Sequence, residues 1–260
     1  MVTLPRIFAV DWSGDRRYDG RKIWVAEICG GELVRLENGR GRTGLARLLI
    51  EESQRDHRFI VGLDFAFSFP LWFCEKLGAK TIIDVWKHVV QTGEQCLHLC
   101  QAPFWGRRGT RCLPADQRFR KTEQDIALRC REARPKSVFQ IGGPGAVGTG
   151  SLRGMPILAT LREAGFSIWP FDPPRLPMVV EIYPRALTGP VNKSSRDERQ
   201  RYLERICPAL SRRHFMAAGS CEDAFDAAVS AHVMQQRINE LENLQPAADR
   251  CDLLEGRIWY

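Results

Sequence analysis

Two short apolar runs, each ending on an aspartate, constrain this chain more than any other feature. Ile7-Phe-Ala-Val-Asp11 and Phe59-Ile-Val-Gly-Leu-Asp64 read as buried strands. Trp12-Ser-Gly14 closes the first with a turn signal. Between the two runs, Lys22–Cys29 and Glu32–Leu36 flank Gly30-Gly31, a dipeptide suited to a two-residue hairpin. Thr43–Gln54 then carries Leu45, Leu48 and Leu49 at helical spacing. The order strand, strand, strand, helix, strand predicts an α/β fold on a mixed sheet. Three antiparallel strands should open it, parallel strands should follow the crossover, and helices should cover both faces.

Farther along, Leu71–Cys100 reads as helical, Ala102–Pro114 as a loop rich in Arg, Gly and Pro, and Thr122–Glu132 as a basic helix. Ser137–Ile141 is a strand candidate opening a glycine-rich loop, Gly142–Gly154, followed by a helix over Met155–Ala164 and extended chain over Phe166–Phe171. Met178-Val-Val-Glu-Ile-Tyr183 is a strand stopped by Pro184, and Arg196–Ile206 and Glu222–Leu244 are the closing helices. No internal repeat is present, and 260 residues with 44% hydrophobic content are enough for one large core. The expectation is a single domain over 1–260, with 74–136 as a basic, Cys- and Arg-containing insertion. No run approaches the roughly 20 apolar residues that span a bilayer. The opening residues lack the pattern of a cleavable signal, and nine scattered cysteines do not suggest a disulfide framework. A cytoplasmic protein with no membrane partner is expected.

The net charge is +7, and Gln101–Lys136 alone holds ten Lys/Arg against four Asp/Glu. Such a segment suits a surface that meets nucleic acid or phosphate, with Phe104, Trp105 and Phe119 as stacking groups among the arginines. A solvated basic helix without a partner is the plain alternative. Arg107, Arg108 and Arg111 are the candidate phosphate contacts.

Two strands end in Asp11 and Asp64, a third carries Glu181 among Val179, Val180 and Ile182, and a late helix opens with Asp223 and Asp226. In an open α/β sheet, ligands bind at strand ends, so carboxylates placed there can converge. Crowded carboxylates repel one another unless a cation neutralises them, and oxygen-only ligation suits Mg²⁺ or Mn²⁺. Two such ions about 4 Å apart can activate a water and stabilise the leaving oxygen of a phosphodiester. Taken singly, Asp11 and Asp64 could simply begin turns, and Glu222 and Asp223 could simply favour a helix start. Asp226 lies one turn after Asp223 on the same helix face, and Glu181 would be costly to bury without a partner.

Val10-Asp-Trp-Ser-Gly14, Gly62-Leu-Asp-Phe-Ala-Phe-Ser-Phe-Pro70, Val180-Glu-Ile-Tyr-Pro184 and Glu222-Asp-Ala-Phe-Asp-Ala227 resemble the motifs of a predicted ribonuclease H-like nuclease family, catalogued as domain of unknown function 429. The resemblance runs from about Phe8 to Met234 and is weakest over 74–136. It implies a ribonuclease H-like sheet, with an aspartate on the first strand as chief metal ligand and acidic partners on later elements. Asp11, Asp64, Glu181 and Asp226 take those places, with Asp223 a fifth candidate ligand. The Asp223/Asp226 pair also resembles the helical carboxylates of Holliday-junction resolvases. Metal-dependent hydrolysis of nucleic acid is therefore the expected activity. The Phe-Ala-Phe-Ser-Phe run after Asp64 departs from the pattern and makes that side unusually apolar.

Other signals compete. Gly143-x-Gly145-x-x-Gly148 imitates a dinucleotide fingerprint, but Gly150, Gly154 and Pro156 are expected to delay the helix that the third glycine should open. Gly145 and Gly148 in a loop of backbone amides for a substrate phosphate is the better reading, with a plain structural turn as the alternative. Ser13 in Asp11-Trp-Ser-Gly14 resembles the first phosphate loop of the sugar and acetate kinases that share the ribonuclease H-like fold. A phosphotransferase or ATPase is accordingly the enzymatic rival, and a non-enzymatic nucleic-acid-binding protein the third reading. Cys96, His98, Cys100 and Cys112 do not match the usual zinc spacings. Arg120, in Phe119-Arg120-x-Thr122-Glu123, resembles a family segment that reaches the site; a surface helix start capped by Thr122 explains it as well.

Overall fold

The apolar runs form the centre of a seven-stranded mixed sheet. The computed structural model describes residues 4–130 and 133–260, so the expected end of the basic helix at Glu132 lies outside the described residues. The strands are β1 (Arg6–Asp11), β2 (Trp24–Cys29), β3 (Glu32–Glu37), β4 (Phe59–Leu63), β5 (Ser167–Ile168), β6 (Met178–Ile182) and β7 (Ile258–Trp259). Their order is β3-β2-β1-β4-β6-β5, with β7 also pairing β6. β1 pairs antiparallel to β2, and β2 to β3, while the β1–β4, β4–β6, β5–β6 and β6–β7 pairs are parallel. The expected opening of three antiparallel strands, a crossover helix and a parallel strand is present.

Strand alternation divides the core in two. Phe8 and Val10 of β1, Phe59, Val61 and Leu63 of β4, and Val179 of β6 pack with side chains of the helices Arg42–Arg55, Ile82–Leu99 and Val147–Glu163. Ile7, Ala9, Ile60, Val180 and Ile182 face the other way, onto Ala227, Ala231 and Met234 of the Glu222–Gln236 helix. Burial on both faces is why these strands read as continuous apolar runs. Small residues along Glu222–Gln236 let that helix lie close on β1 and β2. Val85, Trp86, Val89, Leu97, Phe104 and Trp105, all from the 74–136 stretch, belong to the first of the two cores.

Several boundaries differ from expectation. Leu71–Cys100 is two helices, Leu71–Lys76 and Ile82–Leu99, separated by a turn at Gly78; Thr81 and Asp84 form a reciprocal cap that restarts the chain. Ser137–Ile141 is not a sheet strand; it makes one isolated bridge, Trp105 with Gln140. Phe166–Phe171 contributes only Ser167–Ile168 to the sheet. The glycine-rich stretch becomes helical at Val147, earlier than expected, because Leu152, Met155, Leu158 and Leu161 form a buried stripe that outweighs the low propensity of its glycines and Pro156. Among the described residues, no helix is long and apolar enough to cross a membrane.

Candidate functional site

Asp11 and Asp64 stand side by side because their strands do. β1 and β4 are parallel, Val10 pairs with Leu63, and the Asp64 amide donates to the Val10 carbonyl at 3.2 Å. By strand alternation, both carboxylates leave the sheet on the face covered by Glu222–Gln236, whose second turn supplies Asp226 and whose first turn supplies Asp223. Neither the Asp11 nor the Asp64 carboxylate accepts a hydrogen bond from a described residue. Asp226 is buried; its Oδ2 accepts from Lys193 Nζ at 2.5 Å, while its Oδ1 is buried with no partner.

The electrostatics follow from this crowding. Burial, then the charges of Asp64, Asp226 and Asp223, hold the Asp11 carboxyl well above its ordinary range, with Lys193 opposing them. Burial and Asp226 push Asp64 up to about 8, again against Lys193. Burial also raises Asp226, although Lys193 pulls it back, and burial with Glu222 raises the half-buried Asp223. Carboxyls driven toward their neutral forms by desolvation and one another are what an oxygen-liganded cation would relieve.

Glu181 is placed differently from the expected shell. It pairs with Leu63, so it shares the face of Leu63 and Val10, opposite the one Asp11 and Asp64 use. There its Oε2 accepts from the Phe67 amide at 3.0 Å and from Arg120 Nη1 at 2.8 Å, and its Oε1 accepts from Arg120 Nη2. Arg120, expected to contact substrate, is fully buried. It also binds Glu123 at 2.6 Å and the Glu255 carbonyl at 3.0 Å. Burial would lower its pKa, but Glu123 and Glu181 keep it raised, so the guanidinium stays charged. The pair joins the insertion to β6 and the C-terminal segment, and neither is offered to a ligand. Arg120, and not Thr122, caps the Lys121–Arg129 helix; the Thr122 hydroxyl accepts from the Ile258 amide at 2.9 Å.

The other expected contacts divide. Arg107 donates to the carbonyls of Leu97 and His98, closing the end of the Ile82–Leu99 helix, whereas Arg108 and Arg111 are exposed and unpaired. The Ser13 hydroxyl accepts from the Asp15 amide at 3.1 Å, and Arg42 Nη1 donates to the Ser13 and Asp15 carbonyls at 2.9 and 2.8 Å, so this turn is internally satisfied. Gly148 is buried where a Cβ would stand 2.1 Å from the Val138 carbonyl oxygen; its role is close packing of helix on loop. The helix does open beside this glycine, but the segment before it is no sheet strand, so a dinucleotide unit is not formed. Gly145, at φ +77°, lies at an exposed tip against Lys136.

A cavity of about 280 Å³ beside Asp64 is lined by Trp12, Phe65, Lys136, Gly145, Glu181 and Tyr183, among others. Burial and the nearby Asp64 charge raise the Tyr183 hydroxyl above its usual range. Sequence reasoning missed Lys193 and Lys136, since neither stands at a spacing that ties it to the carboxylates. Among the described residues, no group of three or more His, Cys, Asp or Glu forms a ready-made metal cage. The donor chemistry of Asp11, Asp64 and Asp226 nevertheless suits a hard cation: oxygens only, two carboxylates without hydrogen-bond donors, and one orphaned buried oxygen. No family model, curated protein or solved structure matches this chain.

Proposed function

We propose that this chain is a divalent-cation-dependent nuclease with a ribonuclease H-like fold, acting on the phosphodiester bonds of nucleic acid. The observation that carries the reading is the meeting of Asp11, Asp64 and Asp226 at neighbouring strand ends, with carboxyls held above their usual range and the Asp226 Oδ1 buried and unpartnered. Asp11, Asp64 and Asp226 would hold Mg²⁺ or Mn²⁺, with Asp223 at the rim. The ion supplies an activated water and charge stabilisation at the leaving oxygen. The chain's own residues bind and orient: Lys136 and the exposed Arg108 and Arg111 attract the phosphate backbone, and the apolar wall of Trp12 and Phe65 restricts water on one side of Asp64. The arrangement of antiparallel strands leading into parallel ones, with an aspartate ending the first, supports the ribonuclease H-like assignment.

The test is a panel of labelled RNA, DNA and hybrid substrates with Mg²⁺ or Mn²⁺, comparing wild type with Asp11→Asn. Cleavage that needs the ion and is lost in the variant, with the fold intact by circular dichroism, is expected. Metal-independent cleavage, or equal cleavage by the variant, refutes the mechanism. Phosphate transfer from ATP to a small acceptor would favour the phosphotransferase reading, and binding without cleavage the non-enzymatic one. Arg108→Ala with Arg111→Ala should weaken nucleic-acid binding and flatten its salt dependence.

A further inference from the structure

Lys193 is the cation common to all four aspartates: it opposes the charge of Asp11, Asp64, Asp223 and Asp226. Its side chain is buried, with the ammonium on Asp226 Oδ2. Buried lysines are rare because the ammonium loses strong hydration, so a fixed position needs local support. That support is present on both sides. Arg185 Nη1 donates to the carbonyls of Gly189 and Val191 at 3.2 and 2.8 Å. The buried Arg199 donates to the Lys193 carbonyl and to the Gly219 carbonyl at 3.0 Å. Two arginines thus clamp the backbone that presents one lysine to the acidic cluster.

We infer that Lys193 takes the place of a second metal ion, so that the site binds one divalent cation per chain. The inference rests on the metal-dependent reading above and deepens it. Asp11, Asp64 and Asp226 against Lys193 leave two negative charges, which one divalent cation cancels. A second would leave two positive charges in a site largely closed to water, a costly state. Asp223 lies toward the rim, with Glu222 and Lys22 as its neighbours, and is balanced there. The buried Asp226 Oδ1, beside the oxygen that Lys193 occupies, is the vacant donor on the metal side.

The experiment counts Mn²⁺ bound to the metal-stripped full-length chain by equilibrium dialysis, with electron paramagnetic resonance of the free ion as a second readout. Wild type and Lys193→Arg, which keeps the charge, should each bind one ion; Lys193→Met should bind two, and Asp11→Asn none. Two ions on wild type, or one on a folded Lys193→Met, overturns the inference while leaving a metal-dependent site standing. No ion on wild type overturns both. Should Lys193→Met fail to fold, the wild-type and Lys193→Arg counts still decide.

Discussion

Replacing Asp64 with asparagine keeps the side chain's shape and removes one charge from the crowded strand ends. The Asp64 carboxyl moves from an ordinary 3.8 to about 8, through burial first and the Asp226 charge second. A carboxyl whose folded pKa lies above its unfolded value holds a proton that the unfolded chain has already released. Between pH 3.8 and about 8 the native state therefore binds more protons, and stability falls as pH rises, the reverse of an ion-paired aspartate. Each pKa unit corresponds to about 1.4 kcal/mol, which sets a ceiling of about 6 kcal/mol across the window. Asp11 competes for the same proton and some solvent reaches the site, which reduces the effect to on the order of 2–4 kcal/mol at pH 8. In chelator, Asp64→Asn should exceed wild type by that amount at pH 8, melting about 5–10 °C higher, and the gap should close toward pH 4. Urea denaturation from pH 4 to 8.5 measures it. Millimolar Mn²⁺ should narrow the gap at pH 8 by stabilising wild type alone. A variant no more stable than wild type at pH 8, or a gap that ignores pH, would refute the charge-crowding argument.

The sheet was legible because its signals are local. Continuous apolar runs mark strands buried on both faces, and Gly30-Gly31 marks the hairpin between β2 and β3. The meeting of Asp11 and Asp64 was legible too, since both follow apolar runs that became adjacent parallel strands. Glu181 was not, because a strand pattern carries no register, and one step of register exchanges the two faces of a sheet. Once Glu181 pairs with Leu63, alternation turns it away from Asp11 and toward Arg120. Lys193 and its clamp of Arg185 and Arg199 are products of tertiary packing between segments that share no spacing rule. The helix from Val147 was misjudged for the opposite reason: local propensity was read correctly, and burial of its apolar stripe overrode it.

Two further predictions probe the scaffold that holds the site. Arg120→Ala should cost about 3–5 kcal/mol in urea denaturation, since it strands the buried carboxylates of Glu123 and Glu181. A loss under about 1 kcal/mol would mean that the two carboxyls are neutral and the ion pairs unimportant. The other compares one chemical change at two glycines. A Cβ on Gly14 would stand 2.4 Å from the Gly150 amide nitrogen, backbone against backbone, where nothing flexible can yield. The turn after Asp11 meets the Val147–Glu163 helix there, and Trp12 Nε1 donates to the Gly150 carbonyl at 3.1 Å. Gly14→Ala must push the two apart, breaking that bond and displacing the turn that follows Asp11, at a cost of about 1–3 kcal/mol. On Gly44, inside the Arg42–Arg55 helix, the added carbon meets only Arg40 Cβ at 3.6 Å, an ordinary contact. Gly44→Ala should therefore gain up to about 1 kcal/mol from helix propensity. Thermal melting of both variants reads the contrast, and Mn²⁺ affinity should fall only in Gly14→Ala. Equal stability changes at the two positions would show that the turn after Asp11 is not held by its contact with the helix.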